Sequence, residues 1–146
     1  MKRCLLLVVI WIGGLYFSTA ADQGKKYYVQ FIQGSNDEKP PTATAKAIGP
    51  KLSRKLHPVF RWKHYWELDR QEVIAEAHQV NRIRLNAQRS LEIEPVGDTT
   101  LELRLYREKR LVRKARHQPQ DKMAIMGGEQ SPDNAWFVVV RSEKPR

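Results

Sequence analysis

The chain has 146 residues, with 26 Lys or Arg against 16 Asp or Glu, a formal net charge of +10 and one cysteine. That length supports one hydrophobic core and not two of full size. A single cysteine excludes an internal disulfide framework and a cysteine-rich metal site. The excess of positive charge selects anionic partners: lipid head groups, acidic glycans, acidic proteins or nucleic acid.

Residues 1–20 read as a signal peptide. Lys2 and Arg3 form the positive start, Cys4 to Leu15 is almost wholly apolar, and Ser18 and Ala20 supply the small residues of a cleavage site after Ala20. The competing reading is an uncleaved anchor, since the uncharged run Cys4 to Ala21 is close to the shortest span that crosses a bilayer. In both cases Lys2 and Arg3 stay inside and the remainder is exported, to the periplasm or beyond. Cys4 opens the apolar run rather than closing it, so it is misplaced for lipid attachment. No Asn-X-Ser/Thr site occurs, which favours a bacterial periplasm over a glycosylating secretory route. Residues 21–146 are expected to form a single domain.

Lys26 to Gln33 is aromatic and β-branched and predicts a strand, closed by Gly34. The loop that follows contains Pro40-Pro41, which cannot sit inside a sheet. Ile48 to Val59 predicts one short helix: Pro50 suits its first turn, Leu52 and Leu56 share a face, and Pro58 ends it. Phe60 to Ile74 then alternates, with Phe60, Trp62, His64, Trp66 and Leu68 expected to face the core. Arg61, Lys63, Tyr65, Glu67 and Asp69 are expected to face water.

Beyond Ile74 the pattern is regular. Strands are predicted over Gln79 to Leu85, Arg89 to Pro95, Thr99 to Tyr106, Leu111 to Arg116, Lys122 to Gly127 and Ala135 to Val140. Gly97-Asp98 and Glu108-Lys109 mark tight turns, although the second lacks the favoured Asn-Gly or Asp-Gly. Trp136 to Val140 is apolar without alternation, the mark of a strand covered on both faces. Turns at this spacing predict an all-β fold, an antiparallel β-sandwich of about eight strands, mostly meander, with the helix before the second strand.

Chemistry is sparse. His57, His64, His78 and His117 have no metal-ligand spacing, and no nucleophile elbow, phosphate loop or dinucleotide fingerprint occurs. No catalytic residue, metal site or cofactor is expected. Glu67 and Asp69, two apart on one predicted strand face and near His64, are the acid pair of a hydrolase reading, although Glu92 and Glu94 share that spacing on another strand, as a plain wet face would. The densest signal is basic: Arg104, Arg107, Lys109, Arg110, Arg113, Lys114 and Arg116, interrupted by one acid, Glu108. Folded about Glu108-Lys109, these cations would gather on one ribbon able to grip phosphates or carboxylates. The expectation is an exported, non-catalytic envelope or periplasmic binding or assembly module, its partner an anionic envelope component or an acidic protein. The alternative is a small hydrolase of envelope polymers acting through Glu67 and Asp69. Export argues against nucleic acid, and membrane contact is expected only through an uncleaved N-terminal segment.

Overall fold

The computed structural model describes residues 24–118 and 120–146, so the expected signal peptide lies outside the described residues. Among these described residues nine strands and one helix follow in chain order: β1 (Lys25–Ser35), β2 (Lys46–Ala47), α1 (Pro50–Leu56), β3 (His64–Ala75), β4 (Asn81–Arg84), β5 (Arg89–Val96), β6 (Thr100–Arg107), β7 (Arg110–His117), β8 (Met123–Gln130) and β9 (Asn134–Arg141). They make two antiparallel sheets, with strand orders β2-β3-β1-β9-β8 and β4-β5-β6-β7. The all-β sandwich expected from the alternation is the fold observed. β2, two residues long, is the strand the sequence reading lacked, and β8 runs through residues expected to be loop.

The second sheet is a pure meander whose turns have local causes. Asn86 Oδ1 accepts from the backbone N–H of Gln88 at 2.9 Å and of Arg89 at 2.7 Å, closing the β4–β5 link. Gly97 takes φ +73° at the β5–β6 turn, where a side chain would be strained. Glu108 and Lys109 both take positive φ, 47° and 68°. That is the geometry of a two-residue hairpin whose twist matches its strands, adopted here without glycine.

Two apolar clusters hold the molecule. Between the sheets, Val29, Phe31, Val138 and Val140 of the first meet Leu91, Ile93, Leu103 and Leu105 of the second. On the other side of the first sheet, Ile32, Phe137 and Val139 pack under Leu52 and Leu56 of α1 together with Trp62 and Tyr65. Successive residues of a strand point to opposite faces, so β9 feeds both clusters, and its unbroken apolar run follows from that.

The second cluster corrects the sequence reading at Tyr65, which is 4% exposed rather than on the surface. α1 and the segment after it cover the face of β3 that was assigned to water. The Tyr65 hydroxyl donates to the carbonyl of Phe60 at 3.3 Å, and His57 meets the ring edge-on at 5.0 Å. Burial pushes the Tyr65 hydroxyl pKa up. Trp62 is buried too, but it precedes β3 and packs on the α1 side, whereas Leu68 packs between the sheets. One shared inward face for Trp62 and Leu68 is therefore wrong. Close approach of Trp62 also explains Gly34: a Cβ there would lie 2.7 Å from Trp62 Cδ1 and 3.0 Å from Phe137 Cε2.

Candidate functional site: the basic hairpin

The seven cations of the predicted ribbon lie on β6, β7 and the turn between them, but they do not form one surface. Alternation puts Leu101, Leu103 and Leu105 of β6 into the core and turns Glu102 and Arg104 outward. In register, Glu92 lies opposite Arg104, Arg104 opposite Lys114, and Glu102 opposite Arg116. Arg82 of β4 lies opposite Glu92. The outward face of this sheet is thus a lattice of alternating charge.

Arg104 is its centre, with a side chain 19% exposed. Its Nη1 donates to Glu92 Oε2 at 3.1 Å, its Nε to Glu102 Oε1 at 3.0 Å, and its Nη2 to Glu94. Lys114 Nζ and Arg116 Nε reach Glu102 at 2.9 and 3.1 Å. Arg82 binds Glu92 from the opposite side, and the Tyr106 hydroxyl donates to Glu92 Oε2 at 3.0 Å. Lys114 bonding, followed by Arg116 and Arg104, outweighs burial and holds the Glu102 carboxyl down at about 2. The Glu92 carboxyl is also lowered: burial would raise it, but Arg82, Tyr106 and Arg104 together prevail. Three of the seven expected site residues, Arg104, Lys114 and Arg116, are therefore committed to carboxylates of their own sheet.

The other four lie at the tip. Arg107, Lys109, Arg110 and Arg113 are all exposed. Lys109, Arg110 and Arg113 make no ion pair among the described residues, and Arg107 has a partner of its own. The register shifts between Leu105 and Tyr106, so Val112 is an extra residue in β7. Such a bulge twists an edge and re-aims its side chains. Leu111 and Val112 beside it are 47% and 38% exposed. β7 ends its sheet, and among the described residues no strand pairs with its outer edge. The tip therefore combines uncompensated cations, exposed aliphatic surface and an open strand edge.

The acid pair of the hydrolase reading is not brought together. Ile32 lies opposite Glu67 and Phe31 opposite Asp69, with Leu68 as the extra residue between them. Ile32 and Phe31 belong to the clusters on opposite faces of the sheet. Glu67 therefore projects to the α1 side and Asp69 to the side of the second sheet. Each also has its own partner: Arg70 Nη2 donates to Glu67 at 2.9 Å and Gln71 Nε2 to Asp69 at 2.6 Å. The expectation that they share a face fails because a strict two-residue period does not survive a bulge. His64 is half-buried and stacks on Trp66 with centroids 6.2 Å apart. No group of three or more metal-ligating side chains occurs among the described residues.

A cavity of about 410 Å³ opens at the far end of the β6–β7 hairpin from its tip, lined by Tyr27, Leu101, His117 and Val140 with Gly24 and Lys25. His117, Asp98 and Asp121 also line it, but among the described residues no hydrogen bond or ion pair joins His117 to either carboxylate. No protein-family model matches this chain, and neither a curated protein nor a solved structure matches it significantly.

Proposed function

We propose that the chain is an exported, non-catalytic binding or assembly module of the cell envelope or periplasm. Its contact surface is the tip of the basic hairpin. The observation that carries this reading is the division within the hairpin: Lys109, Arg110 and Arg113 stand exposed without an acid among the described residues, while Arg104, Lys114 and Arg116 are neutralised. Cations in water contribute little one by one, so a usable patch needs several together beside apolar surface. Leu111 and Val112 supply that surface. The partner this chemistry fits is an anionic envelope component or an acidic protein. The unpaired edge of β7 suits an extended acidic segment, because main-chain hydrogen bonds can add where the sheet stops.

The test is retention on an anionic matrix under a salt gradient. Replacing Lys109, Arg110 and Arg113 with Gln is expected to move elution to clearly lower salt, with the melting temperature unchanged. Equal retention of that variant would reject the patch. Export is tested separately: the N-terminus of the protein recovered from its host should be Ala21, and recovery only from cytosol would remove the envelope from the proposal.

A further inference from the structure

The first sheet carries an outward polar region that the hairpin reading leaves unused. Gln30 lies opposite Arg70 and Tyr28 opposite Arg141, so β3, β1 and β9 place these side chains on the α1 face. Over them α1 and the tail of the chain enclose a cleft of about 880 Å³, lined by Gln30, Lys51, Arg54, Arg141, Glu143 and Lys144 among others. Arg70 Nη1 ties the tail down by donating to the Pro145 carbonyl at 3.3 Å.

Arg141 sits in the wall of this cleft and is only 7% exposed, yet it makes no hydrogen bond or ion pair among the described residues. The acids around it are committed elsewhere. Glu143 is held by Lys51 and Lys122, each at 3.0 Å, and Glu67 by Arg70 at 2.9 Å. Burial and the neighbouring Arg70 act against the Arg141 charge and outweigh the more distant attraction of Glu143 and Glu67. Gln30 repeats the deficit: its Nε2 donates to Glu67, and its Oε1 is left buried without a donor. Turning the amide over would only set that oxygen against a carboxylate. A buried charge without a partner is costly, and proteins either pair it or keep it for a ligand.

We infer that this cleft binds a small oxyanion, a carboxylate or phosphate group received by Arg141. Arg54 and Lys144, exposed in the lining and in no ion pair among the described residues, add positive charge that draws the anion in. A space of this size takes a molecule as large as a single sugar acid or sugar phosphate, and a hydroxyl on such a molecule would give Gln30 the donor it lacks. This site is separate from the hairpin tip and does not depend on it.

Calorimetric titration of the intact protein tests the inference, with inorganic phosphate and glucuronate as two arms and sodium chloride as the control. Saturable binding of either anion in the millimolar range or tighter is expected, and the stronger arm tells phosphate from carboxylate. Arg141→Met should weaken it roughly tenfold or more while raising the melting temperature of the unliganded protein, because an unpaired buried charge is removed. Arg54→Gln, exposed and easily tolerated, should weaken binding by about twofold to threefold, which keeps the test alive should Arg141→Met fail to fold. No binding of either anion, or binding unchanged by both substitutions, overturns the site.

Discussion

Two arginines, one on the outward face of each sheet, show how unlike two cations of one chain can be. Arg104 is surrounded by Glu92, Glu94 and Glu102 and bonds to all three. Arg141 is more deeply buried and has no bonded partner among the described residues. Among the described residues no layer covers the face around Arg104, which is built from charge on charge. The face around Arg141 is roofed by α1 and the tail, which bury its cation while the tail's acid, Glu143, bonds to Lys51 and Lys122 instead. Counting positive residues would rank the Arg104 region as the binding surface. Counting partners gives the opposite order: the lattice is structural, and the cations without a bonded acid among the described residues are Arg141 and, at the hairpin tip, Lys109, Arg110 and Arg113.

That contrast can be broken from either side. The largest effect is expected under the roof. Gly34→Ala drives a methyl group into Trp62 and Phe137, and should destabilise by about 2 to 3 kcal/mol in denaturant unfolding. A near-neutral result would mean that the segment carrying Trp62 does not pack on the sheet as described. Next comes the lattice. Arg104→Met leaves three carboxylates facing one another and should cost about 2 kcal/mol, less than a fully buried pair because Lys114, Arg116 and Arg82 remain. Removing Glu92 and Glu94 together with Arg104 should recover part of that loss; no recovery would mean the pairs are incidental.

The smallest effect is a pH dependence. Glu102 is held at about 2 in the folded state against an ordinary value of 4.5. The unfolded chain therefore takes up its proton first as pH falls, so the lattice's contribution is whole above pH 4.5 and is lost towards pH 2. Glu143, held at about 2 by Lys122 and Lys51, adds to the same slope, though it is half-exposed and screened by salt. Melting temperatures measured from pH 5 to pH 2 should fall less steeply in Glu102→Gln. An identical slope would show that Glu102 is not the group responsible.

The sandwich was legible because its causes are local. Alternation of Leu101, Leu103 and Leu105, the turn at Gly97, and Pro50 and Pro58 around α1 each act within a few residues. Even the double cover of β9 was written in its unbroken run. Errors arose where a distant element decided the outcome. Tyr65 is buried because α1 returns over β3, and nothing within β3 announces that. Glu67 and Asp69 were separated by an extra residue at Leu68 that leaves no mark in the composition. The lattice could have been found only in part: charge signs alternate along β5 and β6, but a two-residue turn at Glu108-Lys109 alone would set Glu102 against Ala115, and the extra residue Val112 is what brings Arg116 opposite it. Arg141 could not. Its isolation depends on Lys51, Lys122 and Arg70 taking the nearby acids, a fact of three-dimensional placement alone.

The most direct measurement is a side-by-side thermal melt of Arg104→Met and Arg141→Met at neutral pH and low salt, without added anion. The two substitutions are chemically identical and should move the melting temperature in opposite directions, Arg104→Met down and Arg141→Met up. A fall in both, with Arg141→Met losing as much as Arg104→Met, would show that Arg141 is as well partnered as Arg104 and would contradict the account.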